Sequence, residues 1–187
     1  TCPANAFTIC TRFHTMDQIL HKMMKDSDNL YAESMYYQIA SSTGNRPASA
    51  KSARNVQRQL VRKIGLDPAR YKFADGSGLS LYNYVSAELE VKLLRYAYQD
   101  ENILPHLKQS LPIAGVDGTL KRRMRSGFAH GNVKAKTGTV TGVIGLAGYC
   151  KAANGHDLCF SILNNGIMHS NNARSFADKV CELLCEP

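Results

Sequence analysis

The sequence lacks the patterns of several common protein classes. No apolar run approaches the roughly 20 residues that a membrane-spanning helix needs, so we expect no transmembrane segment in this chain. The glycine-rich residues 75–80 lack the Gly-x-x-x-x-Gly-Lys pattern of a phosphate-binding loop, which argues against a nucleotide site. No Cys-x-x-Cys or Cys/His spacing typical of zinc sites is present, and the sequence predicts neither a metal nor a cofactor.

Acidic residues are missing from a long part of the chain. Residues 118–156 contain no Asp or Glu, although the formal net charge is +8. The basic residues of that stretch are Lys121, Arg122, Arg123, Arg125, Lys134, Lys136 and Lys151. Charge alone leaves two interpretations open: a solvated face that attracts polyanions non-specifically, or a field that attracts a substrate bearing a carboxylate.

The chain also begins without an initiator Met or a signal peptide, since its first residues are Thr1-Cys2-Pro3. We therefore expect that proteolytic processing or truncation of the chain has removed residues before Thr1. The 187 residues, 44% of them hydrophobic, are enough for a packed core. Their number fits one domain or one large lobe of a bigger unit.

The cysteines suggest a hairpin near the end of the chain. They are Cys2, Cys10, Cys150, Cys159, Cys181 and Cys185. Asn154-Gly155 is a strong signal for a two-residue hairpin turn, and centring the turn there places Cys150 opposite Cys159. A cross-strand disulfide in an oxidising compartment and two buried thiols both remain open. Cys181 and Cys185 lie one helical turn apart, which favours packing over chemistry.

Hydrophobic periodicity predicts an α+β fold, with a helical cluster followed by an antiparallel sheet and a C-terminal helix. Helices are expected over residues 15–25, 30–40, 48–64, 86–98, 102–110 and 172–185, and strands over 133–140, 143–150 and 158–164. Thr15, Ser86 and Asn172 are the expected N-caps, and the last helix should turn Phe176, Val180 and Leu184 inward. The second and third strands are apolar on both faces, so we expect helices on both sides of the sheet.

The expected first strand carries the sequence Lys-Thr-Gly-Thr at residues 136–139. Lys136 places a positive charge beside the strand, and Gly138 lets a ligand lie directly against the backbone. Thr139 offers a hydroxyl and a backbone N–H at the same place. These groups suit an extended peptide that ends in a carboxylate, and they suit stabilisation of an oxyanion.

A second candidate motif, Ser27-Asp28-Asn29, lies between the first two expected helices. At such a junction, short polar side chains can point into a cleft. Taken alone, the same residues are more simply explained as a helix N-cap.

Together these segments resemble the class C low-molecular-mass penicillin-binding proteins, the D-alanyl-D-alanine carboxypeptidase/endopeptidase group. Residues 27–33 are similar to the family's Ser-x-Asn segment, and residues 136–138 to its Lys-Thr-Gly motif. The Asp-Gly-Ser-Gly-Leu-Ser run at 75–80 and the segments 111–120 and 135–148 also fit. The resemblance implies the serine β-lactamase/DD-peptidase-like fold.

The chain departs from the family at the nucleophile, which is the Ser of a Ser-x-x-Lys motif. No serine here precedes a lysine by three residues, and Ser175 misses by one because its lysine is Lys179. The resemblance therefore implies that residues 1–187 are the C-terminal portion of the domain. The missing motif is expected in an upstream segment of the same protein.

The resemblance also implies roles for the motif residues in acyl transfer through a serine ester. Ser27, Asn29 and Lys136 would be catalytic, with Ser27 relaying protons to the leaving amine and Asn29 bonding the substrate backbone and the upstream lysine. Thr137, Gly138 and Thr139 would bind substrate. The N–H of Thr139 would be one of two oxyanion donors.

The implied partners are peptidoglycan stem peptides and β-lactams in a periplasmic or other extracytoplasmic compartment of the cell envelope, without nucleic acid or a metal. Two other functions stay open. A serine β-lactamase uses the same motifs, although residues 75–80 argue against it. A non-catalytic module that holds an anionic wall polymer would fit the basic stretch and the missing nucleophile.

Overall fold

The chain folds into a cluster of helices, a three-stranded sheet and a closing helix, as the sequence predicts. A computed structural model describes residues 4–44 and 47–187, so Cys2 and the first residues lie outside it. The helices are α1 (Met16–Lys25), α2 (Asn29–Ser41), α3 (Ala50–Lys63), α4 (Ala87–Tyr98), α5 (Leu104–Ser110) and α6 (Ser170–Cys185). The strands are β1 (Lys134–Val140), β2 (Val143–Lys151) and β3 (Asp157–Asn165). Within the described ranges, no helix is both long and apolar enough to cross a membrane.

The capping residues explain where several helices begin. Thr15 forms a capping box with Gln18, and the Ser86 hydroxyl accepts from the N–H of Leu89, which confirms both expected N-caps. The expectation for α6 is wrong, because the helix begins at Ser170 and its N-cap position is His169.

The buried face of α6 also differs from the expected one. It consists of small residues at a spacing of four: Ala173, Ala177, Cys181 and Cys185. Phe176 is 54% exposed, so its predicted inward position is wrong, whereas Leu184 does pack against the core. Small side chains let the helix approach β2 closely, which the larger residues would prevent. Cys181 and Cys185 are therefore packing residues, as expected.

The sheet has the order β1-β2-β3 with antiparallel pairing throughout. Helix α6 covers one face. On the other face α4 is tied to the sheet by a hydrogen bond from Ser161 Oγ to Glu90 Oε2 (2.6 Å) and another from the Tyr149 hydroxyl to the Leu94 carbonyl (2.7 Å). Helices on both faces explain why β2 and β3 lack an alternating polar pattern.

The register of the β2–β3 hairpin contradicts the expected cysteine pairing. Cys150 lies opposite Leu158, and Cys159 lies opposite Tyr149. The loop has five residues, 152–156, closed by a hydrogen bond from the N–H of its first residue to the carbonyl of its last (2.9 Å). A loop of five residues in place of two is odd in length and shifts the register by one, which sends the two cysteines to opposite faces of the sheet. Both are free thiols in this structure.

Candidate active site

The two motifs meet between the helical cluster and the sheet. Lys136 Nζ on β1 donates a hydrogen bond to Ser27 Oγ at 2.7 Å, although 109 residues separate them in the sequence. Ser27 lies in the short connection between the last residue of α1, Lys25, and the first residue of α2, Asn29. Sequence reasoning placed both groups in a site, and the structure brings them into direct contact.

The backbone around Ser27 explains how its hydroxyl reaches β1. Ser27 has a φ of 58°, which is uncommon for a residue other than glycine. The next residue, Asp28, caps α2 by accepting hydrogen bonds from the N–H groups of Leu30 and Tyr31 (3.0 and 3.1 Å). The capping role thus belongs to Asp28, which leaves the Ser27 hydroxyl free for Lys136.

Burial gives Lys136 unusual chemistry. Removal from water lowers the pKa of its ammonium from 10.5 to about 8. Nζ donates to Ser27 Oγ and to the Thr137 carbonyl (2.8 Å), and an ammonium has three donors. One donor therefore remains for a ligand, and at neutral pH the group is still mostly charged.

The edge of β1 next to Lys136 is open to an extended ligand. Upstream of the motif the edge is occupied, because the N–H of Ala135 donates to the carbonyl of Pro112 (3.0 Å). Alternation along a strand makes the N–H groups of Thr137 and Thr139 point toward the same edge. Gly138 and Thr139 are exposed. This geometry suits the addition of a peptide strand.

Thr137 is held from the side by a residue that sequence reasoning did not assign to the site. Its hydroxyl donates to Thr119 Oγ1 at 2.8 Å, within the short 3₁₀ turn Gly118–Leu120. The only sequence signal for Thr119 was its place in residues 111–120, which fit the family. Asn29 is exposed at the first position of α2, two residues after Ser27.

Residues 75–80 support α2 instead of holding a ligand phosphate. The N–H groups of Gly76 and Ser77 both donate to Glu33 Oε1 on α2 (3.1 and 2.9 Å), and Asp75 accepts from amides within the loop. A Cβ at Gly76 would lie 2.6 Å from Tyr36 Cβ, so the close packing requires glycine there. The loop fixes the helix that follows Ser27.

The arrangement suits proton relay and anion binding better than nucleophilic attack by Ser27. A charged Lys136 donates to the serine oxygen and so does not remove its proton. The ammonium and the two edge N–H groups can instead bind a carboxylate or an oxyanion. Within residues 4–44 and 47–187, no group of three or more His, Cys, Asp or Glu side chains is placed to hold a metal ion.

Sequence comparison identifies close relatives. A family model described as the D-Ala-D-Ala carboxypeptidase 3 (S13) family matches residues 11–185. D-alanyl-D-alanine carboxypeptidase DacB of Haemophilus influenzae is 38% identical over 153 residues, covering 81% of this chain and 32% of the relative. The D-alanyl-D-alanine carboxypeptidase of Actinomadura sp. (strain R39) is 39% identical over 163 residues, covering 84% and 29%. The chain thus spans about a third of the length of these relatives.

Comparison with solved structures also finds a penicillin-binding protein that is similar to this chain. Penicillin binding protein 4 from Haemophilus influenzae, solved in complex with a β-lactam, superposes with a TM-score of 0.81 at 33% identity, over 90% of this chain and 41% of that one. An extended-spectrum β-lactamase superposes with a TM-score of 0.65 at 14% identity, over 90% and 62%. The second likeness concerns the fold alone, and it assigns the chain to the serine β-lactamase/DD-peptidase-like fold.

Proposed function

Because the chain belongs to the D-Ala-D-Ala carboxypeptidase 3 (S13) family, we propose that it is the C-terminal part of a penicillin-binding serine D-alanyl-D-alanine carboxypeptidase. Its substrates are peptidoglycan stem peptides, met outside the cytoplasm in the cell envelope. The observation that carries the proposal is the 2.7 Å hydrogen bond between Lys136 Nζ and Ser27 Oγ beside an open strand edge. The remaining catalytic motif, Ser-x-x-Lys, is supplied by an upstream segment.

The reaction proceeds through a serine ester. The upstream serine oxygen attacks the carbonyl of the penultimate D-Ala, with its lysine accepting the proton. Ser27, polarised by Lys136, gives its proton to the departing D-Ala nitrogen as the C–N bond breaks, and it takes back the proton held by the upstream lysine. Water then hydrolyses the ester and regenerates the serine. A β-lactam forms the same ester by opening its ring.

The edge of β1 positions the substrate for this step. The N–H of Thr139 and the N–H of the upstream serine stabilise the oxyanion, and loss of one such donor typically lowers the rate ~10²–10³-fold. The free donor of Lys136 and the hydroxyl of Thr139 bind the terminal carboxylate, and Thr137 binds the substrate through its backbone N–H. Asn29 hydrogen-bonds the substrate backbone and the upstream lysine.

A labelling experiment tests this assignment. The purified 187-residue chain is incubated with a fluorescent penicillin and run on a denaturing gel, beside the complete protein that includes the upstream segment. We expect no band from the chain alone and a stoichiometric band from the complete protein, because only the latter holds the nucleophile. Adding the upstream segment back to the chain should restore labelling.

Two results would contradict the proposal in different ways. A stoichiometric band from the chain alone that disappears in Ser27→Ala would make Ser27 the nucleophile instead of a relay. A complete protein that takes up no label would refute the penicillin-binding function itself. Rapid loss of label from the complete protein would identify a β-lactamase.

A further inference from the structure

An ion pair with one buried member lies two residues away from the candidate site. The Lys25 side chain, at the end of α1, is 6% exposed, and its Nζ lies 2.5 Å from Oδ2 of Asp117, whose side chain is 38% exposed. The second carboxylate oxygen of Asp117 accepts the N–H of Ile113 at 2.8 Å. Asp117 therefore uses both oxygens, one to hold α1 and one to hold its own loop, residues 111–120.

Backbone packing joins the same two segments. Gly118 has a φ of 54°, and a Cβ there would lie 2.8 Å from the Lys25 carbonyl oxygen. Any other residue would push the loop away from the end of α1. The ion pair thus lies beside a contact between two backbones, so a shift of one segment moves the other.

These contacts close a ring that contains the site. Two residues after Lys25, Ser27 accepts a hydrogen bond from Lys136 (2.7 Å). Two residues after Asp117, Thr119 accepts one from Thr137 (2.8 Å). Lys136 and Thr137 are neighbours on β1. The path from Lys25 through Ser27, β1 and the loop returns to Asp117, and the ion pair completes it.

We propose that Lys25 and Asp117 are positioning residues, which set the distance and orientation of Ser27 relative to Lys136 and Thr137. They do not touch substrate; they fix the two segments that carry the groups that do. This inference rests on the proposed function, because its consequence is seen in the acylation reaction. Removing Lys25 takes away the contact that ties Asp117 and its loop to α1, whereas removing the charge of Asp117 leaves the buried Lys25 ammonium uncompensated.

The matched test uses two lysines of the same helix. Lys25→Met removes the partly buried pair with Asp117 (side chains 6% and 38% exposed), whereas Lys22→Met removes an exposed pair with Asp26 (2.7 Å, side chains 47% and 52% exposed). Acylation of the complete protein is followed over a range of penicillin concentrations, well below the thermal midpoint of each variant. This separates the limiting rate constant from the half-saturating concentration.

We expect Lys25→Met to lower the limiting rate constant about 10- to 100-fold, as for a displacement of about 1 Å in an active site. The half-saturating concentration should change less than roughly threefold, because the ligand-binding edge is intact. Lys22→Met should stay within about twofold of wild type. If Lys25→Met does not fold, Asp117→Asn, which keeps the shape of the side chain, replaces it.

A folded variant with a lower thermal midpoint but the wild-type rate constant would overturn the proposal and leave the pair a stabilising contact only. An equal loss in Lys22→Met would do the same. Failure of the wild-type protein to be acylated refutes the proposed function, not the positioning role, so the two failures are distinguishable.

Discussion

At the scale of single residues, the burial of Lys136 determines the chemistry of the site. The same loss of water that lowers its pKa to about 8 also strengthens its hydrogen bonds to Ser27 and to the Thr137 carbonyl. A lysine in this state loses its charge in a pH range where an ordinary lysine keeps it. Carboxylate binding at the site should therefore depend on pH above neutrality.

This dependence can be measured on the chain itself. After reductive methylation with ¹³C-formaldehyde, the resonance of Lys136 should titrate with a midpoint at a pH of about 8. Below that pH the group is charged and can bind an anion; above it the charge is lost. In the complete protein, affinity for ligands that carry a carboxylate should fall as the pH rises through the same midpoint.

The variant Lys136→Arg identifies the resonance by its disappearance. A midpoint that stays at the ordinary value of 10.5 would contradict the effect of burial.

At the scale of elements, two glycines on paired strands have different roles. A Cβ at Gly148 on β2 would lie 2.1 Å from the Lys134 carbonyl oxygen and 2.5 Å from Ala135 Cα, so the pairing of β1 with β2 requires glycine there. The nearest atom to a Cβ at Gly138 on β1 would be 4.0 Å away. Gly148 therefore serves the sheet, whereas the space beside Gly138 agrees with its proposed role in ligand approach.

The substitutions Gly148→Ala and Gly138→Ala should separate stability from activity. Gly148→Ala should destabilise the chain by about 1–3 kcal/mol, as overpacking does, which chemical denaturation measures. Gly138→Ala should change the free energy of unfolding by less than about 1 kcal/mol, yet slow penicillin acylation of the complete protein. A Gly138→Ala variant with wild-type acylation would remove the ligand-approach role from this glycine.

The positions of the elements could be predicted from the sequence, whereas their relative registers could not. Periodicity and capping residues such as Thr15 and Ser86 act locally, so they locate strands and helix starts closely. The β2–β3 register depends on whether the turn holds two residues or more, and Asn154-Gly155 is compatible with both. The inward face of α6 was only partly predicted, because four small residues line it and Phe176, which was expected there, is exposed.

Contacts between segments that are distant in the sequence cannot be predicted from local sequence patterns. Lys25 and Asp117 are 92 residues apart, and nothing in either local sequence marks them as partners. The approach of Ser27 to Lys136 was expected only from the family resemblance. Such pairs result from how the helical cluster docks on the sheet, which is a property of the whole core.

At the scale of the whole molecule, the basic residues of 118–156 differ in their contacts and in their exposure. Arg123 is occupied by an ion pair with Asp178 (2.6 Å), and Lys136 is partly buried in the site. Lys121, Arg122 and Arg125 are exposed. The exposed residues supply a general field around the protein, while Lys136 makes direct contacts.

The effect of the exposed charges and the effect of the direct Lys136 contacts can be separated by substitution in the complete protein. Lys136→Ala should lower turnover about 10- to 100-fold, the loss expected for hydrogen bonds from a charged donor. Arg122→Ala should lower it no more than about threefold, and that small effect should vanish at high salt because exposed charges are screened. Steady-state kinetics at two salt concentrations measures both. Equal losses in the two variants would assign the whole effect to the field.

The edge of β1 has one further property, which concerns length. Pro112 occupies it beside Ala135, and Ile113 bridges Lys134, so a strand paired with Thr137 and Thr139 cannot continue in that direction. The unpaired edge of β1 is therefore blocked at its Ala135 end and open past Val140. A ligand that enters it is aligned by its terminus, not by its sequence. Ligands of different lengths will share one position at the closed end and differ only in how far they extend past Val140.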